Sequence, residues 1–576
     1  MSQDPISPRH VTVINVDWRR ILEFTQLFRA FRLAMNPAKI TLVVLAICLI
    51  YAAGWFFDLV WGPQVYVNEI LSYQTLPAKA YKQQREGRKS EIGSQLMQAF
   101  DYSPTAFTPE QLEALKNSPR AAYRAIKAAY IQQYHKEIEN IALRRQTAEK
   151  DWASNPYVTS YSTTPAQNEQ EDRQTAARRL YTNVKRAQST VGTGIFDAFI
   201  TREINLFDAL VHNTLTVLRL VPATQRPVDG LALSSSLLTR DAESLNDSDT
   251  IVGTLYNMAV TTPMWLVSGT APMQYPLPSE NASTIKIVAY RGAYLASLFL
   301  LVLFSIVILT FTGASIARLS ALEFAGHERV LLLDVFRFAA ARIWVFIKAV
   351  ITPLLIVLVV GLFITILSLF GAIPYVGEVI LGVFFIALLL IAFVVMFLVL
   401  GILGGINLLF PTIAVEGSDA FDAMSRSFAY VYARPWRLIF YNIISLIYGI
   451  ITYLFISFAV YLIFLITHTF AGWGTSFFGL ANGRLSGSPK LDTLWPLPKF
   501  GQSFLSNTNW YAMNWSETIG AMCMHFWLYL FLFALVGYVI SYYFSAHTII
   551  YLLLRRSVDG QSTSEVFQES APPQQQ

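Results

Sequence analysis

Charge and cysteine are both scarce here. Only 14% of the 576 residues are charged, against roughly 25% in soluble globular domains, which excludes an ordinary soluble enzyme. The two cysteines, Cys48 and Cys523, each sit in an apolar run, where a small hydrophobe serves equally well. That leaves no disulfide framework and no zinc-binding spacing. The net charge of +5 is spread along the chain, so no nucleic-acid footprint arises. Motifs of catalysis are missing too: HExxH, GxSxG, GxxxxGK[ST] and CxxC do not occur, and "VGTG" at 191–194 lacks the rest of a dinucleotide fingerprint. The N-terminus has no short apolar core followed by a small-residue cleavage site, so the first apolar run reads as a retained anchor.

What is abundant is apolar and aromatic: 54% hydrophobic residues, with 40 Phe, 28 Tyr and 12 Trp. A bilayer core of about 30 Å needs about 20 apolar residues in helical form. Six stretches qualify, near Ile40 to Trp61, Ala293 to Ala317, Ile343 to Leu369, Val376 to Phe410, Leu438 to Thr467 and Ile519 to Leu554. The expected fold is therefore an all-α integral membrane protein with six transmembrane helices, a tandem span-elbow-span repeat and a helical extracytoplasmic insertion.

Lys and Arg near span ends are retained in the cytoplasm. The segment 1–39 is basic, Arg318, Arg329, Arg337 and Arg342 follow the second span, Arg426, Arg434 and Arg437 follow the fourth, and Arg555 and Arg556 close the sixth. One side collects them, so both termini are expected in the cytoplasm of a bacterial inner (plasma) membrane. The region 62–290 falls outside it. There "TPEQ" at Thr108 to Gln111 and the Ser118, Pro119 pair read as helix starts. Near 194–222 and 251–270 the pattern suits helices lying in the interface or packed in the outer domain. Residues 557–576 are polar and expected to form a disordered cytoplasmic tail.

Two polar segments interrupt the five-span domain 291–556, at 318–342 and 412–437. "ALEFAGHERVLLLDVFRFAAARIW" and "AVEGSDAFDAMSRSFAYVYARPW" both open on Ala, an aliphatic residue and Glu, and both close on Ala, Arg, any residue and Trp. Glu323 and Arg342 are 19 positions apart, Glu416 and Arg434 18. The segments are expected to be amphipathic elbows along the cytoplasmic headgroups, with Phe421, Met424, Phe428 and Tyr432 on the apolar face. Asp422 and Arg426 form an i,i+4 pair, while Trp344 and Trp436 stand at the aromatic belt beside Arg434 and Arg437. Gly401 and Gly405 form a GxxxG for close helix packing, within the chain or in a homo-oligomer. Trp473, Trp495, Trp510 and Trp515 mark an aromatic outer loop at 468–517, either an aromatic belt or a docking surface.

The segment "DAMSRSFAYVYARPWRLI" resembles the elbow of YciC-like membrane proteins and of the membrane-anchor domain of some glycerophosphodiester phosphodiesterases. The resemblance rests on Asp422, Ala423, Arg426, Ser427, Phe428, Trp436 and Arg437, and covers the last four spans. It implies a helical membrane module without established chemistry. Ion-coupled transport needs ionisable groups at the bilayer centre, and none is expected there. The expected function is a non-enzymatic scaffold or assembly component that uses no cofactor, metal or nucleic acid. Its expected partners are membrane lipid and proteins met outside the membrane. A transporter or lipid-handling facilitator is the alternative.

Overall fold

In the computed structural model every regular element among the described residues is helical. The structure describes residues 22–61, 119–154, 284–326, 330–373, 376–481 and 515–567, with scattered positions in 172–210 and 491–513. The expected helix start at Thr108 and the segment 251–270 lie outside these residues. In chain order the helices are α1 (Arg29–Ala34), α2 (Pro37–Trp61), α3 (Pro119–Ser154), α4 (Thr284–Phe324), α5 (Leu332–Ala341), α6 (Ile343–Ser368), α7 (Val376–Glu416), α8 (Ala420–Ala433), α9 (Pro435–Ala481) and α10 (Trp515–Asp559). Six of them, α2, α4, α6, α7, α9 and α10, are long and apolar enough to cross a membrane.

Four spans are longer than expected. Helices α4 and α7 have 41 residues, α9 has 47 and α10 has 45, about 60 to 70 Å at 1.5 Å per residue. The polar segments therefore begin later than 318 and 412, because α4 continues to Phe324 and α7 to Glu416. Each of α4, α7 and α10 is ended by a glycine at positive φ: Gly326 (91°), Gly417 (65°) and Gly560 (70°). A side chain there would meet its own backbone, which is why glycine is favoured at a helix exit.

The chain forms two compact units. The first comprises residues 1–50, 303–457 and 532–576. Its interior sits at the elbow-side ends of the helices, where Leu408, Val415, Tyr430, Tyr538, Ile549 and Tyr551 are buried together. A second cluster joins Ala314, Phe338, Phe346, Ile413 and Ala423. Helix α8 turns back along α7, because Asp419 caps it by accepting the Asp422 N–H at 2.8 Å. Close approach is set by glycine: a Cβ at Gly404 would come 2.8 Å from Val431, and at Gly401 and Gly405 3.0 and 3.1 Å from Phe428. Within unit 1, then, the Gly401 and Gly405 pair faces α8 of its own chain. The buried face of α8 is Ala423, Met424, Ser427, Tyr430 and Val431, whereas Phe421 and Tyr432 are exposed. This differs from the expected apolar stripe, because α8 packs against α7 and is bonded through Tyr430 to α10 rather than resting one face on a flat surface.

The second unit comprises 51–302 and 458–531. Asp58, at the end of α2, accepts the backbone N–H groups of Phe196 and Asp197 at 3.2 and 2.8 Å, and the Phe196 ring lies against Gly54 and Tyr51. At this point the stretch near 194–222 is packed on protein; residues 211–222 lie outside the description.

Replacing Gly404 with Leu is expected to lift α8 from α7 and cost about 1–3 kcal/mol, the usual range for overpacking. Thermal unfolding in detergent measures it. An unchanged transition would contradict the packing described.

Candidate functional site

The helix ends of unit 1 hold a charged junction. The last carbonyls of a helix have no partner within it, and their partial negative charge attracts cations. On α7 these partners come from three other places in the chain. Arg318 Nη1 of α4 donates to the Ala414 carbonyl at 2.7 Å, the Phe567 N–H donates to Val415 at 2.7 Å, and Arg342 donates to Gly417. Arg318 also donates to the Phe567 carbonyl at 2.6 Å. Its guanidinium stacks on Phe338 at 4.4 Å, and that of Arg342 lies 5.2 Å from the rings of Phe338 and Phe567, within cation–π range.

Glu416, the last residue of α7, accepts from two side chains, Arg426 Nη1 at 2.8 Å and Tyr551 Oη at 2.8 Å, and pairs ionically with Arg555, whose Nε lies 2.9 Å away. Arg426 is also held by Asp422 at 2.9 Å, a hydrogen bond that raises its pKa further above the ordinary value. Tyr430 donates to Asp559, and burial, reinforced by that carboxylate, keeps its hydroxyl protonated well above the usual tyrosine range. Arg555 Nη1 continues to the Glu565 carbonyl at 2.7 Å, while its Nε also meets Gln561. Val415, Glu416, Arg555 and Ser564 to Phe567 line an open cleft of about 340 Å³.

A second ion pair lies between α2 and α4. Asn36 and Pro37 start α2 in the favoured order of cap and first helical residue, with Asn36 Oδ1 accepting from Ala38 N–H at 2.9 Å. Lys39 has no exposed surface. Its ammonium carries three donors, and all three are used: on Leu33 O at 3.0 Å, Ser320 Oγ at 2.9 Å and Glu323 Oε2 at 2.7 Å. Glu323 takes a further hydrogen bond from Asn36, and Ser320 pairs with Ser545 of α10 at 2.9 Å.

The structure reassigns several sequence-predicted residues. Glu323, Arg342 and Glu416, expected to face lipid, are turned into the junction. Asp422 and Arg426 border it, while Trp344, Arg434, Trp436 and Arg437 are at least half-exposed or nearly so. Of the tail expected to be disordered, 557–559 are the last residues of α10 and Gly560 to Phe567 folds back, with Arg318 and Arg555 binding its carbonyls, while 568–576 lie outside the described residues. Lys39, Arg318 and Arg555, counted in the sequence only as side-determining cations, prove to be buried. A Glu shortly before a helix-ending glycine, in "EFAG" and "EG", was the available signal.

In unit 2, α9 and α10 take up both ends of the expected loop 468–517. His468 Nε2 contacts the Trp495 carbonyl at 3.1 Å, with the two rings 5.2 Å apart. His525 Nε2 contacts Thr508 Oγ1 at 2.9 Å, and its ring is 4.8 Å from that of Trp510. Each histidine thus fastens a different turn of the loop, and Trp495 is buried while Trp473 and Trp515 are exposed. Among the described residues no group of three His, Cys, Asp or Glu could hold a metal.

Comparison with protein-family models, curated proteins and solved structures returns no match. The chemistry of the junction is thus read from its own geometry: it neutralises charge and joins helices.

Breaking a buried pair by removing one partner costs about 3–5 kcal/mol. Glu323→Leu alone is expected to destabilise the protein by that order, and Lys39→Met with Glu323→Leu to recover most of it, in a thermal double-mutant cycle. Ending the chain after Gly560 removes acceptors from Arg318 and Arg555, each charged hydrogen bond worth about 1.5–3 kcal/mol. The truncated protein is expected to unfold at a measurably lower temperature than the full chain.

Proposed function

We propose that the chain is a non-enzymatic scaffold or assembly component of a bacterial inner membrane, with both termini cytoplasmic and 62–290 used to bind protein partners outside the membrane. The observation that carries this reading is how the charged groups of the junction are used. Lys39, Arg318, Arg342, Glu416, Arg426 and Arg555 are all engaged in joining helix ends. In the apolar helices, no Asp, Glu, Lys or Arg occurs from 349 to 377, from 379 to 415 or from 518 to 554. A rigid junction with charge-free spans suits a platform better than an ion-coupled carrier.

Glu323 and Glu416 stand at corresponding places in the two proposed repeats, and each binds a cation from another helix. This supports a tandem span-elbow-span unit of the kind the resemblance to YciC-like proteins implies. Such a unit needs lipid around its apolar spans.

Crosslinking and pull-down of the intact protein from native membranes, against a chain lacking Val65 to Asn281, tests the proposal. Proteins enriched only with the intact chain are the expected result. Small-molecule or lipid cargo carried equally by both, with no enriched protein, would favour a facilitator and overturn it.

A further inference from the structure

Helix α7 changes surroundings once along its length. From Val379 to Leu400 most of its described apolar side chains, Val383, Phe385, Leu389 and Phe393 among them, are exposed and the rest half-exposed. From Gly401 to Val415 the sequence stays as apolar, yet most residues are covered by protein. Helix α6, running the other way, has Phe346, Ile347, Ala349 and Pro353 buried and its apolar residues from Leu354 onward exposed or half-exposed. Burial on α4 begins at Thr310 among its described side chains, and on α10, after Ala521, His525 and Leu528 in unit 2, it resumes at Leu535. The exposed run of α7, at 1.5 Å per residue, measures about 33 Å, close to the hydrocarbon thickness of about 30 Å. Beyond Gly401, protein covers the apolar residues that are bare before it.

Around that change of surroundings stand an exposed tryptophan and cations. Trp436 is 80% exposed, and Lys348 and Arg434 are exposed as well, whereas the exposed Trp344 lies farther toward the junction, two residues before Phe346, which packs with Ala423 of α8. The Leu438 side chain, at the start of α9, lies 3.6 Å from a Cβ built on Gly404, and α6 comes alongside α7 with the Phe346 ring 5.1 Å from that of Phe410, which leaves Lys348 toward the exposed run. Arg437 meets Glu23 at 3.5 Å, and the nearby Arg337 and Asp334 offset each other at 4.0 Å. Positive charge remains in excess over Glu23. Tryptophan at headgroup level with Lys and Arg reaching phosphates is the pattern of an anionic membrane surface.

We propose that Lys348, Arg434, Trp436 and Arg437 form a ring that binds the anionic headgroups of the elbow-side leaflet, and that the junction beyond it stands clear of the bilayer. Helix α8 then rises from the ring instead of lying on the surface. Its 14 residues carry Phe421 about 20 Å beyond Trp436, into water. This goes beyond the scaffold reading and holds whether or not a protein partner exists.

The test uses the full chain with Cys48→Ala and Cys523→Ala, reconstituted in vesicles of equimolar phosphatidylcholine and phosphatidylglycerol. Spin labels are placed singly through Leu390→Cys, Phe421→Cys and Ala433→Cys. Collision with oxygen is expected to dominate at 390 and collision with a water-soluble nickel chelate at 421, with 433 between. A label at 421 at the same depth as 433 would overturn the upright elbow. In a second arm, Lys348→Gln with Arg434→Gln and Arg437→Gln is compared with the parent for selection of spin-labelled phosphatidylglycerol over phosphatidylcholine. Roughly a fivefold loss of selectivity or more is expected with the unfolding temperature unchanged. Equal selectivity in the two proteins would overturn the ring.

Discussion

The end of α7 is the constraint on which the first unit depends. A helix that stops inside a protein leaves carbonyls that must be satisfied or pay a desolvation cost of about 1–3 kcal/mol each. Here Ala414, Val415 and Gly417 are served by Arg318, Phe567 and Arg342, from α4, the C-terminal segment and the start of α6. Three remote parts of the chain are thereby fixed to one point. Glu416 adds the counter-charge, which lets Arg555 be nearly enclosed without remaining an uncompensated cation.

Around that point the polar groups of α10 act as ties between helices. Tyr538 donates to Thr452 of α9 at 2.7 Å, Ser541 to the Ala34 carbonyl of α1 at 2.9 Å, and Ser545 meets Ser320 of α4. In an apolar setting such bonds are modest singly. Together with Lys39 they fix the rotation of α10 relative to three neighbours, which apolar packing alone specifies poorly because one leucine face resembles another.

Helix type and number were legible, since six runs of apolar residues at membrane length leave few alternatives. The lengths were not. Residues around Arg318 and Pro411 look like a polar boundary when counted in one dimension, yet Arg318 is buried because its guanidinium meets carbonyls from residues 96 and 249 positions away. The face of α8 escapes a sequence reading for a related reason. Phe421 and Tyr432 are the conspicuous apolar residues, but small residues such as Ala423 and Ser427 let α8 approach its neighbours, and their burial follows from the glycines of α7. The importance of Glu416 was visible as an isolated carboxylate, while its partners Tyr551 and Arg555 were not, for nothing local links them.

The distances in sequence between joined groups bear on how the protein is made. Lys39 waits for Glu323, 284 residues later, Ser320 for Ser545, 225 residues later, and Arg318 for Phe567 at the far end of the described chain. Contacts so separated close only after the intervening chain has been synthesised. Until then Lys39 and Arg318 lack these partners, and a charged group without a partner stays hydrated. The same cations thus act as late fasteners, closing the first unit only when the segment through Phe567 is present.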